Sequence, residues 1–147
     1  MKRMLLGTLL GTLLMAPTTY SQTPEREESA IKRVLEDQVG AWNRGDLETF
    51  MSGYWKSPKL TFFSGKEMAS GWDAALARYR KRYQSKEGEM GTLAFTNLEI
   101  QILGPDSAFV RGQFHLKRTK DNPAGRFTLI FKKLPEGWRI IHDHTST

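Results

Sequence analysis

Residues 127–146 read FTLIFKKLPEGWRIIHDHTS. Alternating bulky and polar residues lead into Pro135-Glu136-Gly137, which is turn chemistry, and a second run starts at Trp138. The pattern predicts two antiparallel strands over 126–134 and 138–145. Side chains alternate faces along a strand. Trp138, Ile140, His142 and His144 therefore share one side, and Arg139, Ile141 and Asp143 the other. Trp138 and Ile140 are core residues by type, so both imidazoles are expected to point inward, toward any cavity.

Upstream, 107–118 reads as a strand. Its core face is Ala108, Val110, Phe114 and Leu116; Phe109, Arg111, Gln113, His115 and Lys117 lie opposite. Gly112 is inward, where a missing side chain would let a ligand approach. Residues 92–103 form a longer strand whose alternation changes phase. Leu93 and Phe95 lie on one parity, Leu98, Ile100 and Ile102 on the other. Such a slip marks a β-bulge that bends the strand. Turns at 104–106 and 121–125 join these runs.

The first half is helical, with one brief strand at 60–63. A helix over 28–44, capped by Thr23 or Ser29, carries Ile31, Val34, Leu35, Ala41 and Trp42 at helical spacing. Gly45 stops it, and Asp46 caps a short second helix burying Leu47, Phe50, Met51 and Tyr54. A third helix spans 73–84, with Leu76, Tyr79 and Tyr83 on one side and the basic run Arg78, Arg80, Lys81 and Arg82 on the other. Three helices and an early strand, then four consecutive antiparallel strands, predict an α+β fold: three N-terminal helices packed on a curved, mainly antiparallel sheet. A bent sheet wrapped on helices leaves a conical pocket.

The junction Trp42-Asn43-Arg44-Gly45-Asp46-Leu47-Glu48 resembles that of SnoaL-like and DUF4440 proteins in the nuclear transport factor 2-like superfamily. So does the run 127–146, which also looks like the end of the calcium/calmodulin-dependent kinase II association domain. The resemblance spans 29–146. It implies a cone-shaped fold, often a dimer, and a pocket, but no single function, since members include isomerases, cyclases, dehydratases, scaffolds and binders. The ketosteroid isomerases need a helix Tyr, an Asp ending the first strand and a second Asp on a later strand. The matching positions are Gln38, the acid-free stretch 60–64, and Thr128. Steroid-isomerase chemistry by that mechanism is therefore not implied.

Several side chains qualify as site residues. His142 and His144 may be read as core-finishing hydrogen bonders, as pocket groups that bind a polar atom or shuttle a proton, or as two metal ligands lacking a third. Gln38 interrupts an apolar stripe, so it either bonds a neighbouring helix or fixes a ligand. Tyr54, Trp72, Tyr79 and Tyr83 could ring a cavity mouth. The basic run 78–82 is most simply a solvated face, with a ligand-steering or partner-binding role as the alternative. No metal or cofactor is expected.

The chain has 147 residues, 39% hydrophobic and 26% charged, which is one globular domain's worth. Lys2 and Arg3 precede an uncharged run, MLLGTLLGTLLMA, at 4–16. Its length suits a signal peptide, with an uncleaved anchor as the alternative. The expected organisation is a signal peptide over 1–21, cleaved after Ser21, a linker over 22–28 and the domain over 29–147. The absence of cysteine excludes disulfides, thiol nucleophiles and thiolate metal sites. Formal net charge is +6. Without Lys2 and Arg3, 20 basic residues face 16 acidic ones, which suits an anionic small ligand or simple solubility as well as nucleic acid, and export argues against a nucleic-acid partner. The expectation is a periplasmic or secreted homodimer, paired through the outer sheet face, that binds a small molecule and does not stay inserted in a membrane. The alternatives are an isomerase, cyclase or dehydratase using pocket histidines, and an oligomeric assembly module.

Overall fold

The computed structural model describes residues 23–147; the expected signal segment 1–21 lies outside the described residues. Three helices pack on one side of an open, curved, six-stranded mixed sheet. The helices are α1 (Pro24–Asn43), α2 (Leu47–Met51) and α3 (Trp72–Tyr83). The strands are β1 (Thr61–Ser64), β2 (Glu67–Ser70), β3 (Thr92–Gly104), β4 (Ser107–Lys117), β5 (Ala124–Leu134) and β6 (Gly137–Ser146). Their order across the sheet is β2-β1-β6-β5-β4-β3. Only the β1–β6 pair is parallel.

Helix α1 begins four residues earlier than expected, inside the span read as a linker. Pro24 takes the first helical position, where its missing N–H costs nothing. Thr23 occupies the cap position without a side-chain bond, and Ser29 instead bonds back to the Glu25 carbonyl. The extra turn buries Glu27. Trp138 Nε1 donates to Glu27 Oε2 at 2.6 Å, and Lys133 Nζ donates to Oε1 at 3.0 Å. A polar linker sequence becomes helix because its one buried acid finds partners on β5 and β6. The other end matches expectation. Gly45, at φ 76°, closes the helix: its N–H reaches the Trp42 carbonyl at 2.8 Å, and the Asp46 N–H reaches Ala41 at 2.9 Å. Asp46 then accepts from the Thr49 N–H at 3.0 Å to cap α2.

Strand β2 was not expected. Glu-Met-Ala-Ser has little strand propensity and buries only Ala69. It forms because the tight turn at Gly65-Lys66 folds it back on β1, pairing Ser64 with Glu67. The bulge in β3 is present: register shifts between Thr96 and Glu99, with Asn97 at φ 51°. Gly112 serves packing rather than ligand access. A Cβ there would lie 2.5 Å from Phe127 Cζ, so the ring already fills that space. The core between helices and sheet centres on Phe131, Ile31, Leu35, Met51, Leu60, Ile140 and Val110.

Glu27→Ala would leave the Trp138 indole without its acceptor and remove one ion-pair partner of Lys133. It is expected to cost about 2–3 kcal/mol, the range for losing hydrogen bonds to a charged group, read as a lower urea midpoint at constant slope.

Candidate functional site

Strand β6 carries an extra residue. Ile130 pairs with His142 and Phe131 with Ile140, so Ile141 has no partner on β5. The edge partner of β6 changes at the same place. Before it, Ile140 N–H bonds Gly53 O, and Trp55 N–H bonds Ile140 O, both at 2.9 Å. After it, β1 takes over, pairing Thr61 with His142 and Phe62 with Asp143. One inserted residue inverts every later side chain on a period-2 strand. Asp143 therefore turns inward, beside Leu129 on β5 and Phe62 on β1.

His142 and His144 turn outward, and neither lines the cavity; this corrects the expectation from simple alternation. Both rings pack edge-on against Phe63, and His142 Nδ1 shares a 2.6 Å hydrogen bond with Thr61 Oγ1. Partial burial, with the charge of His144 nearby, holds the His142 pKa below its ordinary value. His115 also lies on the outer face, bonded to Thr96. Trp72 is corrected too. At the first position of α3 its indole is drawn to the free carbonyls ending α2, donating to Met51 O at 2.8 Å, and Lys56 covers its ring.

The remaining expected residues do meet in one cavity of about 110 Å³. Gln38, Tyr54, Tyr79 and Tyr83 line it. Gln38 shows both of its expected readings: it lines the cavity while Nε2 donates to Phe50 O on α2 at 3.1 Å. The close fit needs Gly53, since a Cβ there would lie 2.7 Å from the Gln38 amide. Tyr79 sits amid an aromatic wall, 5.4 Å from Phe50, 5.6 Å from Phe62 and stacked on Tyr83 at 5.7 Å. Phe95, Phe127 and Leu129 close the sheet side.

Against this apolar lining stands Asp143, 4% exposed. Tyr54 donates its hydroxyl to Oδ2 at 2.8 Å, and Thr145 Oγ1 donates to Oδ1 at 2.7 Å. Burial pushes the carboxyl up to about 6 even though these two bonds, His144 and Arg78 favour the charged form. Burial, followed by the nearby carboxylate, raises the Tyr54 and Tyr79 hydroxyls well above their ordinary values, so both stay protonated donors. The arrangement can bind a polar atom among hydroxyls, or exchange a proton with it near neutral pH.

Asp143 was not among the expected site residues, and Arg78 and Arg82 were read mainly as a solvated face, yet all three line the cavity. A signal for Asp143 was present: consecutive Ile140 and Ile141 break alternation as Leu93 to Leu98 does on β3. Among the described residues no three His, Cys, Asp or Glu side chains gather as a metal site, and no helix is long and apolar enough to cross a membrane.

The profile of the SnoaL-like domain matches residues 31–147. A structure from Shewanella oneidensis, described as nuclear transport factor 2-like and of unknown function, is 43% identical. It aligns over 82% of this chain and 98% of its own, with a TM-score of 0.77. A nuclear transport factor 2-like superfamily protein from Salmonella enterica is similar at 17% identity, 84% and 92% coverage and TM-score 0.68. A cystatin-like fold domain of unknown function from Nostoc punctiforme is similar at 19% identity, 84% and 78% coverage and TM-score 0.68. The last two show the fold alone. No curated protein matches the sequence.

Because Asp143 titrates higher folded than unfolded, its proton stabilises the fold below about pH 4, and that contribution is lost as pH rises through about 6. Asp143→Asn, which cannot ionise, is expected to gain on the order of 2–3 kcal/mol over wild type between pH 4 and pH 7.5, read from urea midpoints across that range. Parallel pH profiles would exclude a raised Asp143.

Proposed function

This chain belongs to the SnoaL-like domain family of the nuclear transport factor 2-like superfamily, and we propose that within it the protein binds a small amphiphilic molecule. One observation carries the reading: a buried carboxyl with two hydrogen-bonded hydroxyls faces a 110 Å³ aromatic cavity. Apolar pockets with a few convergent polar groups are what small ligands occupy. The volume suits one ring or a short branched chain; a dry engineered cavity of about 150 Å³ holds benzene. Tyr79, Phe127 and Leu129 would grip the apolar body, and Tyr54, Tyr79 and Asp143 the polar atom. An assembly module would be expected to fill this space, so the cavity favours a ligand.

A second reading is favoured by Asp143 itself. A buried carboxyl with a pKa near 6 suits a general acid or base acting on a carbonyl compound. It replaces the histidine mechanism, because His142 and His144 face away from the cavity. Turnover that follows a group of pKa near 6 and vanishes in Asp143→Asn would select it over simple binding.

The proposal includes export through residues 1–21, a periplasmic or secreted location and a homodimer. Its support is the basic-then-apolar leader and an outer sheet face bearing Phe63, Phe109 and Ile130. Native mass spectrometry of the protein purified from its producing cells tests these parts together. The expected species is a dimer of chains starting at Gln22 that retains a small molecule. Tyr79→Ala should cut retention at least tenfold, and His142→Ala should leave it unchanged. An apo assembly indifferent to both substitutions would transfer the weight to the assembly reading.

A further inference from the structure

Among the described residues, the cavity wall holds one buried donor left unsatisfied. Arg78 Nη1 is shut off from solvent and has no hydrogen-bond partner. The other terminal nitrogen has an acid partner, and the plane lies over a ring. Nη2 meets Glu67 Oε2 at 2.7 Å, and Cζ lies 5.6 Å from the centre of the Phe62 ring. Buried donors are nearly always paired, and a charged one left alone is costly. Asp143 can relieve its burial by taking up a proton, but a guanidinium has no neutral form to fall back on in a protein. No described residue supplies the missing acceptor, and a bound ligand can.

Resting on the pocket reading above, we infer that the ligand carries a carboxylate, and that Arg78 is the residue that binds it. The local charge supports an anion over a neutral carbonyl. Glu67 is 73% exposed, so water screens its charge and it neutralises the partly buried guanidinium only weakly. Arg82 also lines the cavity from the exposed side of α3, over the Tyr83 ring. Part of the basic run 78–82 thus faces the cavity, where it attracts anions, while Arg80 is paired with Glu48. A guanidinium matches a carboxylate as a planar fork.

Among the described residues, Asp143 is the one acidic side chain lining the cavity. The charged or titratable groups around it are Arg78, Tyr79, Arg82 and Tyr83 on α3, Tyr54 before β1, and His144 on β6. The buried carboxyl is raised to about 6, so it takes up a proton more readily than an ordinary carboxylate. An anion settling nearby favours its neutral form, which donates a hydrogen bond instead of repelling.

The test compares phenylacetate with phenylacetamide, two probes of one shape that differ in charge, by isothermal titration calorimetry. Wild type is expected to bind phenylacetate at least tenfold more tightly. Arg78→Met should erase that preference while phenylacetamide still binds, which also shows that the pocket is intact. If Arg78→Met loses both probes, Arg78→Lys decides: a preference reduced severalfold supports the inference, and one retained in full overturns it. Equal binding of both probes to wild type overturns the carboxylate inference and leaves the pocket reading standing. A preference that survives in an intact Arg78→Met does the same. Binding of neither probe overturns both.

Discussion

The 2.8 Å bond from Tyr54 to Asp143 joins the chain leaving α2 to the last strand of the sheet. Several features depend on it. The 53–55 segment can lie along β6 only up to Ile140, where it exchanges bonds with that strand. Beyond that point β1 must replace it, and the extra residue at Ile141 absorbs the change of partner. The same residue turns Asp143 inward to meet the tyrosine. A backbone irregularity, an edge exchange and a buried carboxyl are therefore one structural event. Bulges commonly re-aim side chains beside functional sites, and this one does so.

The site that results is apolar in area and polar at one corner. Its aromatic wall comes from all three helices: Trp42 on α1, Phe50 on α2, and Tyr79 and Tyr83 on α3, with edge-to-face contacts of about 5 Å and Tyr79 stacked on Tyr83. Rings in such contacts are held by packing on every side. The polar corner draws on β6, the 52–54 segment and α3. Burial raises the carboxyl and hydroxyl pKa values together, so at neutral pH the corner offers protonated tyrosines beside a carboxyl that is easily protonated. This is an environment that recognises oxygen functions on an otherwise greasy molecule.

Much of the fold was legible because its signals are local. The Schellman stop at Gly45, the Asp46 cap, the helical stripe of Ile31, Leu35, Ala41 and Trp42, and the phase slip in β3 all lie within one element. What escaped depends on distant partners. The first turn of α1 exists because Glu27 meets Trp138 and Lys133 more than a hundred residues away. Strand β2 has almost no propensity and forms by leaning on β1. Trp72 looked like a pocket aromatic, but its indole is committed to the end of α2.

By itself the sequence determined the fold class, the order of nearly all the elements, the placing of Gln38, Tyr54, Tyr79 and Tyr83 along the cavity, and the lack of thiol chemistry. These follow from composition, periodicity and caps, which act over a few residues. Tertiary structure alone decided which face of β6 looks inward, and so exchanged His142 and His144 for Asp143. It also decided that Arg78 belongs to the pocket wall rather than to a solvated helix face. The physical reason is the same in both cases. Strand alternation and helix faces predict direction only until a neighbour imposes a bulge or a burial. Both impositions come from segments far apart in the chain.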